Sequence, residues 1–535
     1  MKTKKWMSLI LALVLVLGIV TGCGKSPEAE ELPEETVTLT VGIPQNSNVS
    51  DYNDNAFTKY LEETANVKLK FSFFSSTPSE YKQQLALMCS ANEKLPDVLL
   101  GFSFDQYQTN QYGEDGFFID LTDYIEKYAP NYKAQLEKLD EETKDYVLNK
   151  GKHMETGAYF GMPRVLCRAW DDLQSDMYIN RNWLKKLNLQ MPTTTEELKA
   201  VLKAFVTKDP NGNGTNDEIA MLGSTDLINY LLNAFVSYRA GSFSVTGGKV
   251  WDPVASDEFR QGLIYANELV TEGLYDKLSF TATTPAEMKT LISPTDGPSK
   301  VGIFVGAPER VTNPATDALD EFTALPALKD ATGKGGYTII DEPVLDWCAF
   351  ITKDCKYPAA AMKLIDAFYM DETITRQRHG EKDVDWVREE GTNVNGTTSY
   401  AKPVNTEAFF SGNSTWCLNA CGIMTQENYL AIDSGDGTNR QKQVNRLGSE
   451  QWAIMENGKQ PAENATRLQY TDEEYAVRES KANKLDQYIT EQIVLFVAGE
   501  KNPKDDAAWD DFLSTMDTMG RSELADICQK AYDRK

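Results

Sequence analysis

The sequence predicts an α/β protein of two lobes, each a mostly parallel sheet flanked by helices. Three observations carry this. From residue 37, strand-like and helix-like stretches alternate, which demands crossover connections and hence parallel pairing. The chain has 535 residues, beyond the length at which one hydrophobic core keeps growing, so two lobes are the default. No period of about 20 to 50 residues repeats, which argues against a solenoid or propeller.

The first residues read as an address. Lys2, Lys4 and Lys5 precede the apolar run "WMSLILALVLVLGIV", and "VTGC" follows, ending at Cys23. A basic start, a short apolar core and small residues before a cut site describe a secretory signal over residues 1–22. The run is short for a span of ~20 residues, although an uncleaved N-terminal anchor is the competing reading. Residues 23–36 continue with "GKSPEAEELPEET", which has five glutamates, two prolines and no aromatic ring. Such a stretch cannot bury enough surface to fold, and it is expected to act as an acidic tether.

Residues 37–165 form the expected first segment of lobe 1. "VTLTVGI" alternates like a strand, and "AFTKYLEETANV" follows with Phe57, Tyr60, Leu61 and Ala65 at helical spacing. "KLKFSFFS", "SEYKQQLALMCSAN" and "PDVLLGFS" then read as strand, helix and buried strand. In parallel sheets ligands sit beyond the carboxyl ends of the strands, which puts residues 44–55 and 101–107 at the ligand end. Residues 166–298 form the expected first segment of lobe 2. There "PTTTEELKAVLKAFVTK" opens on a capping pair, Thr194 and Glu197, and lines Leu198, Val201, Leu202 and Phe205 along one face. Residues 299–345, beginning with the strand-like "SKVGIFVG", are expected to return to lobe 1 and form the hinge. Residues 346–535 are expected to belong mainly to lobe 2, with a helical C-terminal region.

The formal charge is −26, and removing residues 1–22 deletes three lysines and no acid, taking it to −29. A chain this acidic is a poor partner for nucleic acid or for an anionic lipid surface. Eight cysteines in 535 residues do not make a disulfide scaffold, and mostly free, partly buried thiols are expected. Cys417 and Cys421 could pair or share a helix face.

Enzyme chemistry finds little support. Only His153 and His379 are available for a nucleophile–base pair, and no HExxH, GxxxxGK[ST] or GxSxG motif occurs. A pair of carboxylates, as in glycoside hydrolysis, stays open among 80 acids.

One loop does carry recognisable chemistry. In "DPNGNGTNDEIA", Asp209, Asn211, Asn213, Thr215 and Asp217 stand at positions 1, 3, 5, 7 and 9, with Gly214 at position 6. Alternating oxygen donors around a glycine bend suit calcium, which takes about 6 to 8 hard oxygens. Position 12 is Ala220 instead of the EF-hand glutamate, and Glu218 stands at position 10. A polar turn that binds nothing is the competing reading.

Aromatic residues in polar surroundings suggest sugar binding, through stacking on an apolar sugar face. The candidates are Tyr52, Phe102, Phe104, Trp170, Trp347, Trp386 and Trp416. For each one, core packing is the competing role.

Together "YINRNWLKKLNLQMPTTTEELKAVLKAF", the loop after it, "LVTEGLYD", "VGIFVG", "RHGEKDVDW" and "GRSELADICQKAYDRK" resemble one family. This is the family 1 extracellular solute-binding lipoproteins of carbohydrate ABC transporters, and within it the oligosaccharide-binding subgroup that includes the alginate-binding proteins. The resemblance implies a type II periplasmic-binding-protein-like fold, two α/β lobes joined by a hinge with a sugar held in the cleft. It also implies one structural Ca2+, with Asp209, Asn211, Asn213, the main-chain oxygen of Thr215, Asp217 and Glu218 as ligands. "VTGC" resembles a lipobox, making Cys23 the lipidated first residue of a monomer on the outer side of a bacterial membrane. The implied partners are an oligosaccharide, the permease subunits of an importer, and the membrane through the lipid alone. A surface polysaccharide-degrading enzyme and a receptor feeding a sensor kinase are the alternatives.

Overall fold

The computed structural model describes residues 29–47, 49–167, 173–280, 285–313, 315–393, 396–405, 420–430 and 439–535. These fall into two compact units. The first takes its described residues from 29–165, 345–381 and 406–423, the second from 166–344, 382–405 and 424–535. In chain order the strands are β1 (Val37–Pro44), β2 (Val67–Phe74), β3 (Val98–Phe104), β4 (Met162–Leu166), β5 (Met177–Asn180), β6 (Ile219–Leu222) and β7 (Ser244–Thr246). They continue with β8 (Lys249–Trp251), β9 (Val301–Val305), β10 (Phe322–Ala324), β11 (Val344–Ile351), β12 (Trp386–Thr392), β13 (Thr398–Pro403) and β14 (Gly422–Met424).

The sheet of the first unit runs β14-β4-β11-β3-β1-β2. β1 pairs in parallel with both β2 and β3, as the alternation of strand and helix requires. The helix Ala56–Ala65 makes the first crossover, and it starts where it does because Asn55 caps it. The Asn55 side-chain oxygen accepts the main-chain N–H of Phe57 at 2.9 Å and of Thr58 at 3.3 Å. β11 instead runs antiparallel to β3. It is the strand by which the chain re-enters this unit, and an antiparallel neighbour needs no crossover helix.

The expected tether begins to fold earlier than its composition suggests. Lys127, in the helix Thr122–Tyr128, donates to the Ala29 carbonyl at 3.3 Å and pairs with Glu31 at 2.8 Å. The Tyr128 hydroxyl donates to the Glu30 carbonyl at 2.6 Å. Residues 29–31 are therefore docked on the first unit. Composition alone could not reveal this, because two of the three contacts go to main-chain oxygens.

The sheet of the second unit runs β10-β5-β9-β6 and is mixed, not mostly parallel. β6 and β9 are parallel, whereas β5 runs antiparallel to both β9 and β10. This also corrects the expected return to the first lobe over residues 299–345. β9 lies between β5 and β6, so residues 299–344 stay in the second unit, and the return comes with β11.

The helix Thr195–Thr207 lies over this sheet with Leu198, Val201, Leu202 and Phe205 all buried. Thr194 caps it by accepting the Glu197 N–H at 3.2 Å, and the Glu197 carboxylate reaches back to Thr193 at 2.8 Å. Phe205 meets Trp183 edge-on, with ring centroids 5.1 Å apart. It lies so close over Gly302 of β9 that a Cβ there would be 2.4 Å from the ring. The chain closes with the helices Asp472–Ala498, Asp506–Thr518 and Arg521–Asp533. Among the described residues no helix is long and apolar enough to cross a membrane.

Candidate functional site

The loop after the helix Thr195–Thr207 is held at both ends by buried structure. Upstream is the packed helix. Downstream Ile219 opens β6, its N–H donating to the Lys300 carbonyl beside β9 at 2.8 Å. Between them the backbone takes left-handed conformations at Asp209, Gly212 and Gly214, with φ of 43°, 76° and 79°. Glycine takes such angles without strain, so Gly212 and Gly214 allow the chain to curl on itself.

The curl turns side-chain oxygens inward onto N–H groups. Asp209 Oδ1 accepts from Gly212 N–H at 2.8 Å, and Asp209 Oδ2 from Gly214 N–H at 3.2 Å. Asn211 Oδ1 accepts from Asn213 N–H, and Asn213 Oδ1 from Thr215 N–H at 2.7 Å. Two lysines brace the loop. Lys186 Nζ donates to the Asp209 carbonyl at 3.2 Å, and Lys300 Nζ lies 2.8 Å from Asp217 Oδ2. Asp217 Oδ1 accepts from the side-chain amides of Asn211 at 3.3 Å and Asn213 at 2.9 Å. The Lys300 ammonium, followed by the Asn213 amide, holds the Asp217 carboxyl well below the usual carboxylate range.

Glu218 is the informative residue. Both its carboxylate oxygens are buried without a hydrogen-bond partner among the described residues. Burial, reinforced by Asp209 and Asp217, raises its carboxyl above the ordinary value. A buried carboxylate approached only by the main-chain N–H groups of Asn211 and Glu218, too poorly aligned to bond it fully, is costly, and a hard cation in the loop would supply a full partner. The donor set fits calcium chemically. Asp209, Asp217 and Glu218 do not, however, bring their oxygens within 4.8 Å of one another as a set, because Asp217 is turned onto Lys300.

The aromatic candidates are placed differently from the expectation. Phe102, Phe104 and Trp347 lie 0%, 1% and 2% exposed in one core, packed with Phe74, Tyr81, Phe118 and Phe350. Phe102 and Phe104 meet one another as stacked rings 6.1 Å apart, and Phe104 meets Phe350 edge-on at 5.3 Å. These three are corrected to packing residues: β3 and β11 are central strands, so polar sequence neighbours did not mean a polar environment. Trp386 is likewise buried, at the start of the β12–β13 ribbon. Tyr52 is buried, its hydroxyl accepting Asn46 N–H at 2.7 Å and its ring 4.8 Å from that of Phe73. Trp170, Trp416 and Cys23 lie outside the described residues.

An open ring at the ligand end of this sheet is Phe73, 48% exposed near the carboxyl end of β2, with Phe71 two residues before it. The signal in sequence was the "FSFF" alternation on an edge strand. Nearby a polar network crosses three adjacent strands at the same end of the sheet. Arg164 of β4 donates to Asp346 of β11 through Nε at 3.0 Å and Nη2 at 2.8 Å, and Ser103 of β3 donates to Asp346 at 2.6 Å. No linear motif announces this trio, since the strands come from distant parts of the chain. The six described cysteines are free thiols, and burial drives the Cys348 thiol far up.

The chain belongs to the bacterial extracellular solute-binding protein family, whose sequence profile matches residues 46–373. It is similar to the fructooligosaccharide ABC transporter substrate-binding protein FusA of Streptococcus pneumoniae serotype 4, with 28% identity over 301 residues. That match covers 52% of this chain and 54% of FusA. It is also similar to the polygalacturonan/rhamnogalacturonan-binding protein YtcQ of Bacillus subtilis, with 26% identity over 340 residues, 62% of this chain and 63% of YtcQ. The chain thus matches less than two thirds of the length of either relative. In fold it resembles the FusA EF-hand mutant in complex with fructo-nystose, at a TM-score of 0.71 and 20% identity over 93% of this chain and 99% of that one. The alginate-binding protein AlgQ2 without calcium ion gives a TM-score of 0.64 at 20% identity, over 95% of this chain and 100% of AlgQ2.

Proposed function

We propose that this protein is a receptor that captures an oligosaccharide outside the cell and hands it unchanged to the permease of an ABC importer. The observation that carries the reading is the family match over residues 46–373, joined to two relatives, one named for a fructooligosaccharide and the other for polygalacturonan and rhamnogalacturonan. Supporting it, β1, β2 and β3 run parallel, and the loops beyond their carboxyl ends stand where ligands bind in such sheets. Phe73, exposed at that end, offers a ring for an apolar sugar face.

The proposed anchor is a lipid on Cys23, which keeps a monomeric body near its permease and raises its effective concentration there. The proposed calcium is structural, held by Asp209, Asn211, Asn213, the main-chain oxygen of Thr215, Asp217 and Glu218. When bound, it supplies a divalent charge that stands against three carboxylates within ten residues. The chain's own part is to hold those oxygens between a buried helix and a buried strand.

The deciding experiment is calorimetric binding against fructooligosaccharides, oligogalacturonides and a broader glycan panel, with chromatography of the sugar afterwards. Tight binding with the sugar recovered intact is the expected result. Peptide binding without any glycan binding would overturn the sugar assignment, and shortened or unsaturated products would overturn the receptor reading.

A further inference from the structure

We propose that Lys300 is a built-in competitor for the cation of the 209–218 loop and thereby sets its calcium affinity. The inference rests on the calcium reading above and goes beyond it, because it concerns a residue outside the ligand set. Three observations support it.

First, the ammonium occupies a ligand's face. Lys300 Nζ is 2.8 Å from Asp217 Oδ2, while the Asn211 and Asn213 amides cover Oδ1 from the other side. Asp217 therefore has both oxygens engaged by positive hydrogens. For a cation to take this carboxylate, the ammonium must leave it or share it, and the two amide nitrogens must give up Oδ1.

Second, Lys300 cannot move away as a whole. Its carbonyl accepts Ile219 N–H at 2.8 Å, and its own N–H donates to Leu291 O at 3.0 Å. The backbone of Lys300 is thus tied to the residue that ends the loop, and only the side chain is mobile. The side chain is 40% exposed, so water can receive the ammonium when a cation displaces it. Displacement is feasible, and the positive charge still stays in the neighbourhood.

Third, one ammonium does not complete the loop. It faces Asp217 and leaves both Glu218 oxygens buried without a partner among the described residues. A monovalent group on one acid is a partial substitute for a divalent ion shared among three. Lys300 therefore steadies the metal-free loop while opposing the metal. A like unit charge kept close to a divalent cation in a nearly aqueous dielectric corresponds to about a tenfold change in affinity. Raising the salt concentration should shrink that factor.

The test is a Ca2+ titration of the mature chain by calorimetry, paired with melting curves in chelator and in excess Ca2+. Lys300→Met is expected to bind Ca2+ about tenfold more tightly than the unaltered protein. Its metal-free form should melt lower, and its loaded form should melt no lower. Lys300→Arg keeps the charge and should stay within about threefold of the original affinity. Unchanged or weaker Ca2+ binding by Lys300→Met, with the original protein binding Ca2+, overturns the competitor role and leaves an ordinary surface ion pair. If the unaltered protein binds no Ca2+ at all, the calcium reading itself fails, which is a distinguishable result.

Discussion

Gly302→Ala isolates the packing that holds the helix before the 209–218 loop against its sheet. A Cβ at Gly302 would lie 2.4 Å from a Phe205 ring carbon and 2.8 Å from the Ala220 carbonyl oxygen. The ring is fully buried against Trp183, and the oxygen belongs to the neighbouring strand β6, so neither can step aside cheaply. Overpacking a dense core costs about 1–3 kcal/mol, and a contact that includes backbone belongs near 3 kcal/mol. The assay is urea denaturation at pH 7 followed by fluorescence, comparing Gly302→Ala, Phe205→Leu and the double variant. Phe205→Leu opens space over the glycine, so the double variant should lose less than the two singles added together. The coupling should be about 1 kcal/mol, as for residues in direct contact. A loss below about 0.5 kcal/mol for Gly302→Ala, or strict additivity in the double variant, would refute the close approach of ring and strand.

Other expectations follow from single groups. Burial lowers His379 from an ordinary value of 6.5 to about 3, so below pH 6.5 the unfolded chain takes up a proton that the folded chain refuses. Stability supplied above pH 6.5 is therefore lost as pH falls toward 3, and His379→Leu should reduce the loss between pH 7 and pH 5 by about 2 kcal/mol in urea titrations. Equal pH dependence in both proteins would count against it. Lys127→Ala combined with Tyr128→Phe should release residues 29–31, read as faster amide exchange over 29–36 with the rest of the chain unchanged. Asp209→Ala should lower the melting temperature in Ca2+ and abolish its calcium dependence while sugar preference is retained. A changed preference at saturating sugar would move the loop into the binding site.

Much of the architecture was legible because local rules and tertiary structure agree. β1, β2 and β3 follow from the alternation of strand-like and helix-like stretches, and the face of Leu198, Val201, Leu202 and Phe205 is buried as its spacing requires. The loop of residues 209–218 was legible for the same reason, since its donors and glycines are sequence neighbours. Phe102, Phe104 and Trp347 were misread because burial is decided by strands that pair from far away, not by polar neighbours along the chain.

By itself, the sequence determined the alternation of strand and helix from residue 37, the class of the fold, the acidic character of the body and the donor pattern of one loop. Each depends on residues within a few positions of one another or on sums over the chain. Only the tertiary structure decided that β9 stays in the second unit, that residues 29–31 are docked, and that Lys300 stands on Asp217. Those contacts join residues separated by roughly 80 or more positions, and their energy exists only once loop closure has brought the partners together.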